Sequence, residues 1–363
     1  MLGFYFFSEF LPISYNFEQK YILGADSERY IKGANEIINF ELPAFSSQKY
    51  LGYTFYIAIF QYFSLDLSFV VLSQILLTFF SSLCIYKISK KFSSDKGAIF
   101  ATSLYLFYLP LQMWNFYILT ESIFISISIF IVYFFVFFDK KNFLLIFFLI
   151  IFYISLRPHG IIIIPSILLS LLIWSYFKNK LKIFYLLVTI SITLMIPTIY
   201  FLNFYFTNLE IIKNIVNRGI IWSYNDENNY LSYNIETINN NDLLSFLIFI
   251  KNNLYTFSVG FLKKIWFFIF RVRPYYSEFH NYYIIFLNLI YLPAAILGIF
   301  KMIKKNQLGI FLMISLIILF TLGTGLSWAD WDSRFSLYIL PFIFIFSGIG
   351  INNIKYFKGN FAK

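Results

Sequence analysis

"DLSFVVLSQILLTFFSSLCIYKISKKFSSDK", residues 66–96, is the stretch that decides the fold. Its apolar run from Leu67 to Tyr86 carries no charge and stops in a lysine cluster, Lys87, Lys90, Lys91 and Lys96. As a helix, about 20 such residues cross a hydrocarbon layer of roughly 30 Å. The rest of the 363-residue chain follows suit, being 60% hydrophobic and only 13% charged, far more apolar than one soluble core could hide.

Further runs of this kind lie near 97–113, 119–138, 143–156, 160–177, 182–203, 283–303, 307–326 and 335–351. Their continuity excludes the alternating pattern of an outer-membrane barrel. The expected fold is an all-α polytopic membrane protein. The connections "KISKKFSSDK", "DKKN", "KNKLK", "KMIKKNQ" and the tail "KYFKGNFAK" are lysine-rich, whereas "LQMWNFYILT", "SLRPHG" and "SWADWDSR" are not. The lysine-rich set is therefore cytoplasmic. It holds fifteen lysines against Asp95 and Asp139, a net +13, leaving −3 for everything else in a chain of +10. The basic balance thus reports orientation, and no basic stripe on a soluble domain points to nucleic acid.

The run at 50–63 makes a helix of only ~21 Å, with tyrosines and a glutamine suited to an interface, so it reads as a juxtamembrane helix. The first run, "MLGFYFFSEFLPI", reads as the outer half of a first span rather than a cleaved signal, because no basic segment precedes it. Ten spans follow, with both termini cytoplasmic in a cell (inner) membrane. Three regions emerge: an N-terminal transmembrane module, 1–203, with an external loop at 14–65; an external segment, 204–282, whose "LLSFLIFI" and "FLKKIWFFIF" read as interfacial helices; and C-terminal transmembrane helices at 283–363. The lone Cys84 lies in a span and founds no disulfide framework.

On this topology all six arginines, Arg29, Arg157, Arg218, Arg271, Arg273 and Arg334, lie outside. A planar, permanent, bidentate cation suits phosphate and carboxylate oxygens. Four motifs stand at the outer ends of spans: "ADSERY" with Asp26 and Glu28, "LTES" with Glu121, "LRPHG" with Arg157 and His159, and "WADWDSRF" with Asp330, Asp332 and Arg334. Each also has a structural alternative. Asp26 and Glu121 could cap helices, Asp330 and Asp332 could pair with Arg334, and His159 could be an interfacial hydrogen-bonding residue. Two histidines and one cysteine do not make a zinc site.

The order of these motifs resembles the GT-C membrane glycosyltransferases, in particular the bacterial relatives of protein O-mannosyltransferases and aminoarabinose transferase. The likeness is best over 21–165 and 328–350. It implies a sugar donor carried on polyprenyl phosphate, a glycan, lipid or protein acceptor, and transfer with inversion on the extracytoplasmic face. By position Asp26 matches the family's acidic residue and would be the general base, with Glu28 and Glu121 as alternatives. Arg157 and Arg334, joined by His159, Arg271 and Arg273, would hold the donor phosphate, with Tyr30, Asp330 and Asp332 in support. A divalent metal ion is left open. Two other functions compete: a polysaccharide polymerase or ligase, and a lipid-linked-sugar flippase or transporter. A transporter would carry ionisable residues near the bilayer midplane, whereas here they gather at one surface.

Overall fold

The computed structural model describes residues 21–191, 193, 220, 243–327, 329 and 333–360. The expected half-span at 1–13, the run beyond 193, most of the 204–242 segment and Asp330 and Asp332 lie outside the described residues.

Among the described residues the chain is helical and contains no strand. The helices are α1 Ser27–Ile38, α2 Leu51–Tyr62, α3 Leu67–Phe92, α4 Asp95–Phe107, α5 Glu121–Val136, α6 Phe143–Leu156 and α7 Ile163–Phe177. After Leu181–Ser191, here α8, come α9 Leu243–Asn252, α10 Leu254–Phe270, α11 Glu278–Ile303, α12 Leu308–Leu326 and α13 Leu340–Asn360. Among the described residues four stretches are long and apolar enough to cross a membrane: Leu67–Phe92, Pro158–Phe177, Glu278–Ile303 and Leu308–Leu326. The chain is an α-helical protein of membrane character.

Expectation and structure part in three places, one of them the run 160–177, which opens as a 3₁₀ turn over Pro158–Ile162 before its α-helix starts at Ile163. The run 97–113 is not one helix: α4 ends at Phe107, and a turn at Leu109–Gln112 and a 3₁₀ turn at Met113–Asn115 follow. Pro110 is the physical reason, since it has no N–H to continue the helix and its ring crowds the carbonyl of Leu106 four residues back; the chain leaves the α region at Tyr108. The run 335–351 likewise opens as a 3₁₀ turn over Arg334–Tyr338, and its α-helix begins at Leu340.

α5 is apolar on every side and is accordingly buried on nearly every side, from Ile123 through Val132. Around it pack α3, α6, α12 and the Arg334–Tyr338 turn. α13 sits between α4 and α11. It meets α4 at Gly97 and Gly348, where a Cβ on either residue would come within 2.3 Å of the other's carbonyl oxygen. Small residues let membrane helices approach this closely.

α2 runs antiparallel along the N-terminal part of α3, with the Tyr53 hydroxyl donating to Gln74 Oε1 at 3.1 Å and Tyr56 bonded to Ser73. At twelve residues it is ~18 Å long, short of a crossing. α1 packs across α2, with the Tyr30 and Tyr53 rings edge to face at 5.2 Å. α1 is thereby docked on α2, and α2 on the N-terminal part of α3.

Candidate functional site

Backbone hydrogen bonds bring two loops together before any charge is involved. Ile22 N–H donates to the Phe116 carbonyl at 2.9 Å, and Ile118 N–H donates to the Ile22 carbonyl at 3.0 Å, an isolated parallel bridge. The wholly buried Ser27 completes the stitch: its hydroxyl donates to the Ile118 carbonyl at 2.9 Å and accepts from Gly24 N–H at 2.8 Å. Gly24 suits the close approach there, because a Cβ would lie 2.9 Å from a Leu119 methyl and that side chain would have to shift. A buried net is anchored on the same 115–122 turn. Gln74 Nε2 donates to the carbonyls of Asn115 and Tyr117, and Thr78 and Ser122 donate to Asn115 Oδ1. The loop bearing Asp26 and the turn leading to Glu121 form one hydrogen-bonded unit.

Glu121 opens α5 and is 1% exposed. Arg157, at the end of α6 and 5% exposed, donates from Nη1 to Glu121 Oε1 at 2.6 Å. Arg334 Nη1 stands 3.6 Å from the same oxygen and stays 26% exposed. Aromatic faces complete the surround: Arg334 lies over Trp114 at 5.8 Å, and Arg157 over Phe335 and Tyr338 at 5.7 and 5.5 Å. One carboxylate oxygen thus faces two guanidiniums. Thr120 Oγ1, Glu121 Oε2, Arg157 Nε and His159 Nδ1 are buried without a hydrogen-bond partner among the described residues. Of these, Arg157 Nε and the Thr120 hydroxyl have donor capacity for an anion.

Asp26 is half-buried, with Oδ1 3.0 Å from Arg29 Nη2. Its side chain does not cap α1, so the capping alternative fails. Arg29 stacks on Tyr50 at 4.7 Å and on Tyr30 at 5.3 Å, which fixes the guanidinium beside Asp26. Tyr30 is buried between the two acidic centres. Burial pushes its hydroxyl well above the ordinary range, and the charges of Arg157, Glu121 and Asp26 all act on it. Glu28 points away on the exposed face of α1.

The structure thus brings together Asp26, Tyr30, Glu121, Arg157 and Arg334 around the stitched loops. His159 is adjacent, its ring 4.6 Å from Phe335. Arg271 and Arg273 form a separate group. Arg271 donates to the Tyr291 hydroxyl at 2.7 Å and to Asn288 Oδ1 at 3.3 Å and lies over Tyr108, while Arg273 donates to the Phe267 carbonyl at 2.7 Å. No described contact joins either of them to Glu121. Arg29, Ser27, Thr120 and Trp114 belong to the site although no motif reading assigned them roles. For Arg29 and Trp114 the available signal was a charged or aromatic residue inside a motif-bearing loop. For Ser27 there was none, since its role depends on a carbonyl 91 residues away. Among the described residues no three His, Cys, Asp or Glu side chains come together as a metal site. Set against known proteins, the chain matches no family model and no curated protein.

Proposed function

We propose that the chain is an inverting glycosyltransferase that moves a sugar from a polyprenyl-phosphate donor to a glycan, lipid or protein acceptor at the extracytoplasmic face of the cell membrane. On this reading ten spans thread the bilayer, with both termini cytoplasmic. The observation that carries it is the cluster of Glu121, Arg157 and the partly exposed Arg334, stitched to the loop that holds Asp26. An acid beside a phosphate-suited basic centre is what this reaction needs.

In the reaction the acceptor oxygen attacks the anomeric carbon, the bond from that carbon to the phosphate oxygen breaks, and the acceptor's proton passes to Asp26. Arg29 holds one Asp26 oxygen and leaves the other for the proton. The leaving polyprenyl phosphate is already an anion, so stabilisation of its charge matters more than protonation. Arg334, the more exposed of the two guanidiniums, meets the phosphate, and Arg157 keeps Glu121 and the cluster in place. Glu121, gripped on one oxygen by two arginines, serves as an electrostatic strut rather than the base.

The test is incubation of the purified protein in nanodiscs with a panel of polyprenyl-phosphate sugars, scoring release of polyprenyl phosphate. Release that depends on Asp26 supports the proposal. No release from any donor, with protein whose fold is intact, removes it.

A further inference from the structure

The turn after α1 presents three large apolar side chains with almost no protein cover: Phe40 is 99% exposed, Leu42 90% and Phe45 75%. This is not a loose segment. Glu41 N–H donates to the Glu36 carbonyl at 2.8 Å and Phe40 N–H to the Ile37 carbonyl at 3.0 Å, the paired bonds of a Schellman helix end. Ala44 N–H donates to the Glu36 carboxylate at 3.0 Å, and Gln48 Nε2 donates to the Pro43 carbonyl at 2.9 Å. The turn is braced from both sides.

Phe40 occupies the position of that helix end which adopts left-handed backbone, with φ of 60°. Glycine is the usual residue there, because a Cβ in this region crowds the following carbonyl. A bulky aromatic residue in left-handed backbone, with its ring 99% exposed, adds little packing to the described residues. Its neighbours show where the ring goes. α2, which follows directly, carries an exposed stripe of Leu51, Phe55, Ile59 and Tyr62 on one face, and α3 alongside it exposes Phe69, Leu72 and Leu76. α3 is one of the membrane-crossing helices, so this apolar surface is continuous with its lipid-facing side. Lys49, 5.4 Å from the Phe45 ring, puts a cation at the edge of the patch, where anionic headgroups lie.

We infer that the 39–45 turn is a wedge that inserts Phe40, Leu42 and Phe45 into the outer leaflet of the bilayer. The wedge fixes the far end of α1, and so the height of the Asp26 loop, relative to the lipid surface. The inference needs no substrate; that the leaflet is the outer one rests on the proposed topology.

The experiment places an environment-sensitive NBD label at Phe40→Cys or Leu42→Cys, in a Cys84→Ala background and in nanodiscs. Lys32→Cys, on the exposed polar face of α1, is the reference. Labels at 40 and 42 are expected to emit to the blue of the label at 32, and lipids with nitroxides on their acyl chains are expected to quench them. Emission matching position 32 would overturn the wedge. A blue shift that acyl-chain nitroxides do not quench would also overturn it, because the cover would then be protein, such as a second copy of the chain.

Discussion

Glu121→Gln separates a strut from a base. The carboxylate sits 2.6 Å from one guanidinium and 3.6 Å from another. At an effective dielectric of about 20, the closer contact alone is a gross attraction of roughly 6 kcal/mol. Desolvation of both ions offsets much of that. The net loss is larger than the offset suggests, because the amide strands Arg157, 5% exposed, with no counter-charge in contact. Breaking a buried pair from one side costs about 3–5 kcal/mol. Unfolding of the purified protein by heat and by SDS in mixed micelles should show Glu121→Gln destabilised in that range. Arg157→Met should cost a similar amount, and the double variant less than the two together, with a coupling of at least about 1 kcal/mol. A Glu121→Gln protein within about 0.5 kcal/mol of the parent would refute the strut. If such a protein also lost all transfer, the base would move from Asp26 to Glu121.

Asp26→Asn keeps the shape and removes the basicity, so transfer should fall at least ~100-fold while stability and donor binding hold; transfer at the parent rate would reassign the base. At the wedge, Phe40→Gly should be more stable than Phe40→Ala by about 1 kcal/mol, because only the alanine keeps a Cβ in left-handed backbone. Equal stability of the two in the same unfolding assay would mean that the strain is absent. For orientation, a cysteine at the exposed Glu28 should react with an impermeant thiol reagent added outside intact cells and one at Ser94 should not; the opposite pattern would invert the proposed topology.

Local features were the legible ones. "SERYIKGANEII" reads as a helix after a glycine turn and forms α1 with those bounds, and the interfacial run at 50–63 becomes α2. "LTES" and "LRPHG" were visible as acid and base at the ends of runs. Their union was not, because Glu121 and Arg157 are 36 residues apart and meet only through the packing of α5 on α6. The same limit hid the division of the arginines, since Arg271 and Arg157 look alike until Asn288 and Tyr291 claim the former. Lys264 shows how a period misleads. In "FLKKIWFFIF" it reads as the polar face of an interfacial helix, yet it is buried and donates to the Ser327 carbonyl at 2.7 Å. Its partner is the end of α12, which no local pattern announces.

The stitch between Ile22, Ser27 and the 116–118 segment limits how this protein can open. To swing away as a lid, the Asp26 loop would have to release both bonds of the bridge and the Ser27 hydroxyl from a buried carbonyl at once. Leaving a buried polar partner unsatisfied costs about 1–3 kcal/mol each time, so the loop stays shut on the time scale of thermal fluctuation. The floor of the site therefore behaves as a fixed anvil, set before any ligand arrives. Whatever approaches it meets a surface already in place, and a substitution that loosens Ser27 would blunt the anvil without touching a charge.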